Sequence, residues 1–471
     1  MSDKDLIDVQ EVAPAEVAEI DLYEHREKIF TRKIEGFYQR LRLFTGWPLL
    51  LGYLLLPWFN WDGRQAVLFD LPARKFHILG LTFWPQDFPM LAFLLIIAAF
   101  SLFVVTAFAG RVWCGYTCPQ TVWTSIFMWL EQKTEGSRNQ RVRLDKAPWN
   151  VQKIFKKFAK HSSWLFVGFV TGMTFVGYFY PIKDLSYELL TFSTGQWQVM
   201  WTVFFTLATY INAGWLREQV CKHMCPYARF QSVMFDHDTL IVSYDSKRGE
   251  ARGSRKRGTD YQAQNLGDCI DCELCVQVCP TGIDIRDGLQ YECIGCALCI
   301  DACNSIMDKM EYPKGLIRYT SEHQLDGGVT HWIRPRIVGY TLVLCMMVGV
   351  FCYNVITRIP LDLTVIRDRT ELFLTTDTGQ VENIYTLHLV NMDLDMHEFE
   401  VTVSGIEGAS IIGQQLYTLN GGEVRSVTLR VRIDPSVMDK PNQQLDFEVV
   451  ATDMPSLRAV SESRFMRPIN E

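Results

Sequence analysis

Eight cysteines in the segment 269–303 constrain this chain more than any other feature. They form two runs, and in each run three cysteines at intervals of three are followed by a fourth cysteine four residues further on. The runs are Cys269, Cys272, Cys275 and Cys279, then Cys293, Cys296, Cys299 and Cys303. In two-cluster ferredoxins, three cysteines at this spacing wrap around one [4Fe-4S] cluster and the fourth reaches the other cluster.

The spacing therefore predicts a bacterial-type ferredoxin domain whose two [4Fe-4S] clusters have crossed sets of ligands. The first set is Cys269, Cys272, Cys275 and Cys303, and the second set is Cys293, Cys296, Cys299 and Cys279. A zinc module usually needs two Cys-x-x-Cys pairs per ion, so the third cysteine of each run would be left over. Such short spacings also favour metal binding in a reducing compartment over a disulfide framework.

Apolar stretches outside this domain predict a membrane protein. Five of them approach the roughly 20 residues that a helix needs to cross a bilayer, and they run over 44–61, 88–110, 163–181, 197–215 and 336–357. Because the N-terminus is acidic and the first apolar run begins only near Phe44, we expect no cleavable signal peptide and expect internal helices to direct insertion. The net charge of -7 argues against nucleic acid as a partner and leaves membrane lipid as the expected surroundings.

Charge predicts the orientation in a bacterial inner membrane. The segment 111–160 contains ten Lys or Arg residues, whereas the segment 181–196 contains only Lys183. By the positive-inside rule, the N-terminus, the segment 111–160 and the region 216–335 are cytoplasmic. Five crossings then place the C-terminus in the periplasm.

The N-terminal segment divides into two parts. Residues 1–25 have the composition of an acidic tail. Between residues 25 and 43, basic residues alternate with Phe30, Ile34, Phe37 and Leu41 at helical spacing. This pattern indicates either a helix lying at the membrane interface or a basic flank of the first span.

The C-terminal segment has the period-two alternation of strands, for example at Phe399, Val401 and Val403. About seven short strands predict an all-β Ig-like sandwich, with Asn420–Gly422 as a hairpin turn. The predicted fold is therefore multi-domain. Its parts are an N-terminal segment 1–43, a membrane domain 44–235 with four helices, a ferredoxin domain 236–335, a fifth transmembrane helix 336–357 and a periplasmic sandwich 358–471.

Four further cysteines form two similar Cys-x-x-x-Cys-Pro elements, Cys114/Cys118 and Cys221/Cys225. Each element follows a pair of apolar stretches, which indicates a duplicated unit with both elements on the same membrane face. If each pair is helical, both of its sulfurs lie on one face. Soft thiolates favour Cu(I), and His223 and Met224 are possible additional ligands.

Ordinary packing is the alternative interpretation of these cysteines, since free cysteine often behaves as a small apolar residue. It is the preferred interpretation for Cys345 and Cys352, which lie in the last apolar stretch.

Three features of the chain belong together: the paired elements Trp-Cys114-Gly-Tyr-Thr-Cys118-Pro and Cys221-Lys-His-Met-Cys225-Pro, the double ferredoxin run and the C-terminal β-domain. In this combination the sequence resembles the CcoG/RdxA/FixG family over nearly the whole chain. Members of that family are accessory proteins for the assembly of cbb3-type cytochrome c oxidase. The resemblance implies cytoplasmic reduction of Cu(II) to Cu(I) at these four cysteines by electrons from the clusters. It also implies, as partners, an electron donor that the sequence does not identify, a copper chaperone or transporter, and oxidase assembly factors.

Two other functions remain open at this stage. The chain could be a quinol-linked electron-transfer subunit with a protein acceptor, because the membrane part is similar to polyferredoxins that pass electrons from quinol. It could also be a non-enzymatic scaffold that holds oxidase subunits through its β-domain.

Overall fold

The structure is a computed structural model, and it describes residues 28–468 except 62, 262, 370 and 439. The predicted acidic tail lies outside the described residues. The helices between the N-terminus and the ferredoxin domain are α1 Phe37–Leu55, α2 Phe88–Ala109, α3 Val112–Tyr116, α4 Pro119–Glu135, α5 Arg138–Lys146, α6 Val151–Val176, α7 Ile182–Thr191, α8 Gln196–Thr209 and α9 Pro226–Val233. Stretches of π-helix at Tyr210–Leu216 and Val220–Met224 separate α8 from α9.

The first described residues differ from the predicted interfacial helix. Residues 28–35 form no helix, and the backbone N–H of Arg32 donates to the carbonyl of Gln277, 2.8 Å away, in the ferredoxin domain. Helix α1 begins only at Phe37, where the Asp301 carboxylate accepts the N–H groups of Tyr38 at 3.2 Å and Gln39 at 2.8 Å. A carboxylate at a helix N-terminus satisfies N–H groups that have no partner within the helix. The helix therefore starts where this distant cap is available.

Among the described residues, three helical segments are long and apolar enough to cross a membrane by length and composition, namely Pro85–Ala109, Gln196–Leu216 and Pro335–Ile356. They correspond to the predicted spans 88–110, 197–215 and 336–357. The other two predicted spans fall on α1 and α6, which are helical but are not among these segments. The predicted count of five crossings is therefore not confirmed.

Helix α6 packs closely on α8 through two glycines. A β-carbon at Gly168 would lie 2.9 Å from the carbonyl oxygen of Thr206, and one at Gly172 would lie 2.7 Å from that of Thr202. Small residues four apart allow two helix backbones to approach in this way.

Short strands fill the connection between α1 and α2, where no element was predicted. They are β1 Asn60–Trp61, β2 Arg64–Gln65, β3 Val67–Asp70, β4 Lys75–Ile78 and β5 Leu81–Phe83. This connection contacts the C-terminal domain, since Lys75 Nζ donates to the carbonyl of Gly422 at 2.8 Å. Arg358 and Asp87 form an ion pair of 2.7 Å beside it.

The ferredoxin domain follows α9. Its elements are β6 Ile241–Tyr244, α10 Ser246–Gly249, α11 Leu274–Val278, α12 Leu298–Met310, β7 Ile317–Thr320 and α13 Glu322–Leu325. Strands β6 and β7 pair antiparallel and close the domain, and helix α14, Pro335–Ile356, leads to the C-terminal domain.

The C-terminal domain is a sandwich of two antiparallel sheets. Its strands are β8 Leu361–Arg367, β9 Leu374–Thr375, β10 Val381–Asn391, β11 His397–Ser404, β12 Ser410–Ile412, β13 Leu416–Leu419, β14 Val424–Ile433, β15 Asn442–Ala451 and β16 Arg458–Met466. One sheet has the order β12-β14-β10-β8 with β9 beside β10, and the other has the order β13-β11-β15-β16. Fully buried side chains such as Leu387, Phe399 and Phe447 fill the space between them.

The predicted hairpin at Asn420–Gly422 is wrong. The turn joins β13 to β14, and these strands belong to different sheets. A local turn signal predicts a change of direction but not the partner of each strand, so the same residues serve a connection between two layers.

Candidate redox and metal site

Two neighbouring cavities in the ferredoxin domain are lined by the eight cysteines. The first cavity is lined by Cys269, Cys272, Cys275 and Cys303, and the second by Cys279, Cys293, Cys296 and Cys299. Cys275 borders both cavities. The thiols are thus grouped in the two crossed sets that the spacing predicts.

The two cysteine loops have the same backbone shape. Asp271 and Glu273 in the first run have positive φ angles of 53°, and the equivalent residues of the second run, Gly295 and Ala297, have φ angles of 65° and 59°. A left-handed conformation is unfavourable for residues other than glycine. Its recurrence at matched positions indicates that the loops are shaped around the cavities rather than by local preference.

Several of these thiols are deeply buried and receive backbone hydrogen bonds. Burial raises the pKa of Cys275, Cys293 and Cys303 to about 12. The backbone of Gly295 donates to Cys293, and that of Ile317 donates to Cys303. Four soft thiols per cavity, with backbone N–H groups directed at sulfur, are a donor set that fits a [4Fe-4S] cluster.

The Cys-x-x-x-Cys-Pro elements are not single helices, which corrects the prediction that each pair lies on one helical face. Cys114 lies in α3, whereas Cys118 has extended φ and ψ angles and directly precedes α4. Cys221 lies in a π-helical stretch, and Cys225 directly precedes α9 in the same way. The proline after Cys118 or Cys225 disfavours helical geometry at the cysteine and is well suited to begin the next helix.

The two elements nevertheless have equivalent backbone turns. The N–H of Cys118 donates to the carbonyl of Trp113 at 2.9 Å, and the N–H of Cys225 donates to that of Val220 at 2.8 Å. Both bonds link residues five apart, so the sequence repeat is also a structural repeat.

The four cysteines of these elements lie in one electrostatic neighbourhood. Burial, together with the thiols of the other three cysteines, raises the pKa of Cys114 to about 12. Burial also raises the pKa of Cys221 to about 11, with contributions from Cys118 and Cys225. The Cys114 thiol donates to the side-chain oxygen of Gln231, 3.5 Å away, and Gln231 is fully buried.

The other predicted ligands lie on the surface. His223 and Met224 are exposed in the π-helical stretch between Cys221 and Cys225. Cys345 and Cys352 are exposed on α14, so the described residues do not pack around them.

Both elements contact the loop that carries the second cysteine set. A β-carbon at Gly115 would lie 2.9 Å from Cys296 Cα and 2.9 Å from the carbonyl oxygen of Gly295. From the other element, the carbonyl of Lys222 accepts the Tyr291 hydroxyl at 3.0 Å. The four membrane-side cysteines and the second cavity are therefore direct neighbours.

Arg111 links the same parts, and sequence reasoning missed it. Its guanidinium is buried and donates to the carbonyls of Cys293 at 3.1 Å and Ala228 at 3.0 Å, and also to that of Tyr291. One side chain thus joins the start of α3, helix α9 and the second cysteine loop. Its position directly before Val-Trp-Cys114 was the available sequence signal.

A buried ion network supports this arrangement from the other side of α4. Glu131 lies 2.9 Å from Arg141 and 3.1 Å from Arg217, and Glu135 lies 3.0 Å from Lys160. The sequence prediction counted these basic residues only as loop charges. Their pairing fixes α4, α5 and α6 relative to the π-helical segment that precedes Cys221.

Three family models match the chain. A "4Fe-4S dicluster domain" matches residues 216–322, a "4Fe-4S binding domain" matches residues 91–135, and a model for the "IG-like fold at C-terminal of FixG" matches residues 351–468.

Similar proteins extend over most of the chain. The nitrogen fixation protein FixG of Rhizobium meliloti is 37% identical over 88% of this chain and 85% of its own length. Protein RdxA of Cereibacter sphaeroides is 40% identical over 82% of this chain and 84% of its own length. A crystal structure of a FixG-related protein from Vibrio parahaemolyticus is 28% identical, with a TM-score of 0.22, and covers 23% of this chain and 98% of that chain.

Proposed function

Because the chain belongs to the FixG and RdxA family of iron-sulfur electron-transfer proteins, we propose that it is a membrane-bound cupric reductase. In this proposal, electrons from the ferredoxin domain reduce Cu(II) to Cu(I) at Cys114, Cys118, Cys221 and Cys225. The reaction takes place on the cytoplasmic side of the inner membrane and supplies copper for the assembly of a cbb3-type cytochrome c oxidase.

The observation that carries the proposal is the contact between Gly115 and the backbone of Cys296. Cys296 belongs to the second cysteine set, and Gly115 is the residue after Cys114. Through the Tyr291–Lys222 hydrogen bond, the second Cys-x-x-x-Cys-Pro element reaches the same loop. The four thiols are therefore placed next to the loop from which an electron of the second cluster would leave.

The remaining cysteine set reaches the protein surface through one of its four thiols. Cys272 is exposed, which gives an external donor access to the first cavity. Each [4Fe-4S] cluster, when bound, exchanges one electron at a time. Each Cu(II) ion takes up one electron and leaves as Cu(I), so a one-electron protein donor serves one ion and a quinol serves two.

The thiols favour the product of the reaction. Soft sulfur ligands prefer Cu(I), and this preference makes reduction of Cu(II) more favourable at the site than in water. Burial raises the pKa of Cys114 and of Cys293, and the nearby Arg111 guanidinium offsets part of this rise at both thiols. Its positive charge stabilises thiolates on both sides of the contact.

The proposal is tested by a single-turnover measurement on the full-length protein with intact clusters. The reduced protein is freed of reductant and mixed without oxygen with Cu(II) and a Cu(I)-specific chelator. About two Cu(I) ions per chain are expected, one for each cluster. Cys114→Ser and Cys221→Ser should lose most of this yield with cluster absorbance unchanged.

Cys352→Ser is the matched control, because this cysteine is exposed on α14. Reduction at the wild-type rate in both the Cys114 and Cys221 variants would rule out the four-thiol site. Reduction of the clusters by quinol without any Cu(I) would instead favour the quinol-linked electron-transfer subunit.

A second candidate role for the four thiols follows from one comparison. The "4Fe-4S binding domain" model covers residues 91–135 and therefore includes Cys114 and Cys118. The four thiols would then hold a third cluster and act as a further relay. Iron analysis separates the two roles, since two clusters contain about eight iron atoms per chain and three contain about twelve.

A further inference from the structure

A cluster of histidines and carboxylates lies where α9 leads into the ferredoxin domain. The Nδ1 atom of His323 is 2.8 Å from Asp238 Oδ1, and the Nδ1 atom of His331 is 3.4 Å from Asp238 Oδ2. The three ligand atoms lie within 4.8 Å of one another. Asp238 is buried, whereas both histidines are exposed.

The backbone holds these side chains in place. The N–H of His323 donates to the carbonyl of His237 at 3.1 Å, and the N–H of His331 donates to Asp238 Oδ1 at 3.0 Å. Between the two histidines the chain reverses at Gly327, whose φ angle is 95°, and the N–H of Gly328 returns to the carbonyl of His323 at 2.8 Å. Both rings are thus directed to one carboxylate by a turn that is closed by hydrogen bonds.

The chemistry of this donor set is unlike that of the cysteines. Imidazole nitrogens suit Cu(II), Zn(II) and Ni(II), and Cu(II) is bound most tightly of the three. Two imidazoles and a carboxylate at this spacing can bind one ion and leave room for water or for a further ligand. His237 and Glu322, whose Nδ1 and Oε2 atoms are 2.7 Å apart, provide more donors beside them.

We propose that Asp238, His323 and His331 form a binding site for a divalent transition-metal ion, and that Cu(II) is the ion it holds most tightly. The site is distinct from the eight ferredoxin cysteines and from the four thiols. Its nitrogen and oxygen donors match the oxidised form of copper, whereas thiols match the reduced form.

The position of the site suits the loading of copper, a role that rests on the function proposed above. Helix α9 begins directly after Cys225 and ends shortly before Asp238, and its Gln231 contacts Cys114. The loop after α9, which carries Asp238, is fixed to the end of α2, because the Thr239 hydroxyl donates to the carbonyl of Ala107 at 3.1 Å. One short helix therefore joins a site for Cu(II) to a site for Cu(I).

Binding is tested apart from reduction. The four thiols are replaced by serine in the full-length protein, the clusters are left oxidised and one equivalent of Cu(II) is added without reductant. The electron paramagnetic resonance spectrum should show a Cu(II) signal split by two imidazole nitrogens. His323→Gln or His331→Gln should remove the splitting from one nitrogen and weaken binding at least about tenfold, as loss of a ligand does.

His388→Gln is the control, because this histidine lies on strand β10 of the β-domain, where it bonds to Ser426. Competition with Zn(II) and Ni(II) tests the predicted order of affinity. A Cu(II) signal and affinity unchanged in both His323 and His331 variants would overturn the site, as would a four-serine protein that binds no Cu(II). If the protein binds Cu(II) at this site but never produces Cu(I), the proposed metal site is supported and the proposed cupric reductase function is excluded.

Discussion

Gly115 lies directly against the backbone of Cys296, so that a β-carbon at residue 115 would come within 2.9 Å of Cys296 Cα and 3.0 Å of its nitrogen. Real β-carbons essentially never approach backbone atoms this closely. The absence of a side chain at residue 115 is what lets the membrane part and the second cysteine loop touch.

Gly115→Ala should therefore push the two parts away from each other. We expect a several-fold slower transfer of electrons from the clusters to copper, because misplacement of reacting groups on the ångström scale is costly. Stopped-flow absorbance of the reduced clusters after mixing with Cu(II) measures the rate. Gly339→Ala in α14, which meets nothing within 4 Å, should leave it unchanged. An equal rate in both variants would contradict the role of this contact.

Arg111→Gln should lower the reduction potential of the second cluster. The guanidinium donates to the carbonyl of Cys293, and removal of its positive charge disfavours the more negative reduced cluster. A redox titration followed by electron paramagnetic resonance measures the potential. Arg111→Lys retains the charge but not the forked hydrogen bonds, so it should keep most of the potential. An equal shift of the reduction potential in Arg111→Gln and Arg111→Lys would show that the forked hydrogen bonds, and not the positive charge, set the potential.

Affinity for Cu(I) should increase with pH. The pKa of Cys114 is about 12 and that of Cys221 about 11, so both thiols are protonated at neutral pH without metal. Binding must displace these protons, and affinity should rise about tenfold per pH unit for each proton displaced. Competition with a Cu(I) chelator between about pH 6 and 9 gives the slope. Cys114→Ser should reduce the slope, and an affinity independent of pH would exclude these thiols as ligands.

Asp301→Asn should weaken the start of α1. Its carboxylate accepts the N–H groups of Tyr38 and Gln39, and loss of such a charged cap costs about 1 kcal/mol. Hydrogen exchange at residues 37–41 should become faster. Asp308→Asn provides the control. Asp308 lies on α12, as Asp301 does, and its substitution removes only an exposed ion pair of 3.0 Å with Lys314. Equal protection in wild type and Asp301→Asn would show that the cap does not stabilise the helix.

The β-domain should lose stability as pH rises. Burial lowers the pKa of His397, but hydrogen bonds to Asp453 at 2.7 Å and Asp393 at 3.3 Å outweigh burial, and the pKa is raised. The stabilisation is then complete below the unfolded pKa of about 6.5 and is lost as pH rises through the folded pKa. Calorimetry of the full chain should show the domain's transition falling with pH, and His397→Gln should flatten this dependence. A transition insensitive to pH in the wild type would contradict the charged pairing.

The sequence predicted the features that depend on local spacing. The two crossed cysteine sets follow from intervals of three and four residues, and the alternation around Phe399 and Val401 predicted strands that the structure contains. Proline at 119 and 226 could also have predicted the extended geometry of the preceding cysteines, because that effect acts between adjacent residues.

Features that depend on distant partners could not be predicted. The approach of Gly115 to Cys296 joins segments far apart in the chain, and neither residue alone carries a signal for it. The turn at Asn420–Gly422 has the composition of a hairpin, but strand pairing elsewhere decides its use. Glu131 and Arg141 are charged residues that usually face water, and only the packing of α4 against its neighbours buries them together.

The cap on α1 can form only late in synthesis. Asp301 is 263 residues later in the chain than Tyr38, so α1 is synthesised long before its partner leaves the ribosome. A chain that stops before the ferredoxin domain lacks both the Asp301 cap and the Gln277 carbonyl that accepts the Arg32 N–H. Closure of this end of α1 therefore requires synthesis through Asp301, but it does not require the β-domain, which follows later in the chain.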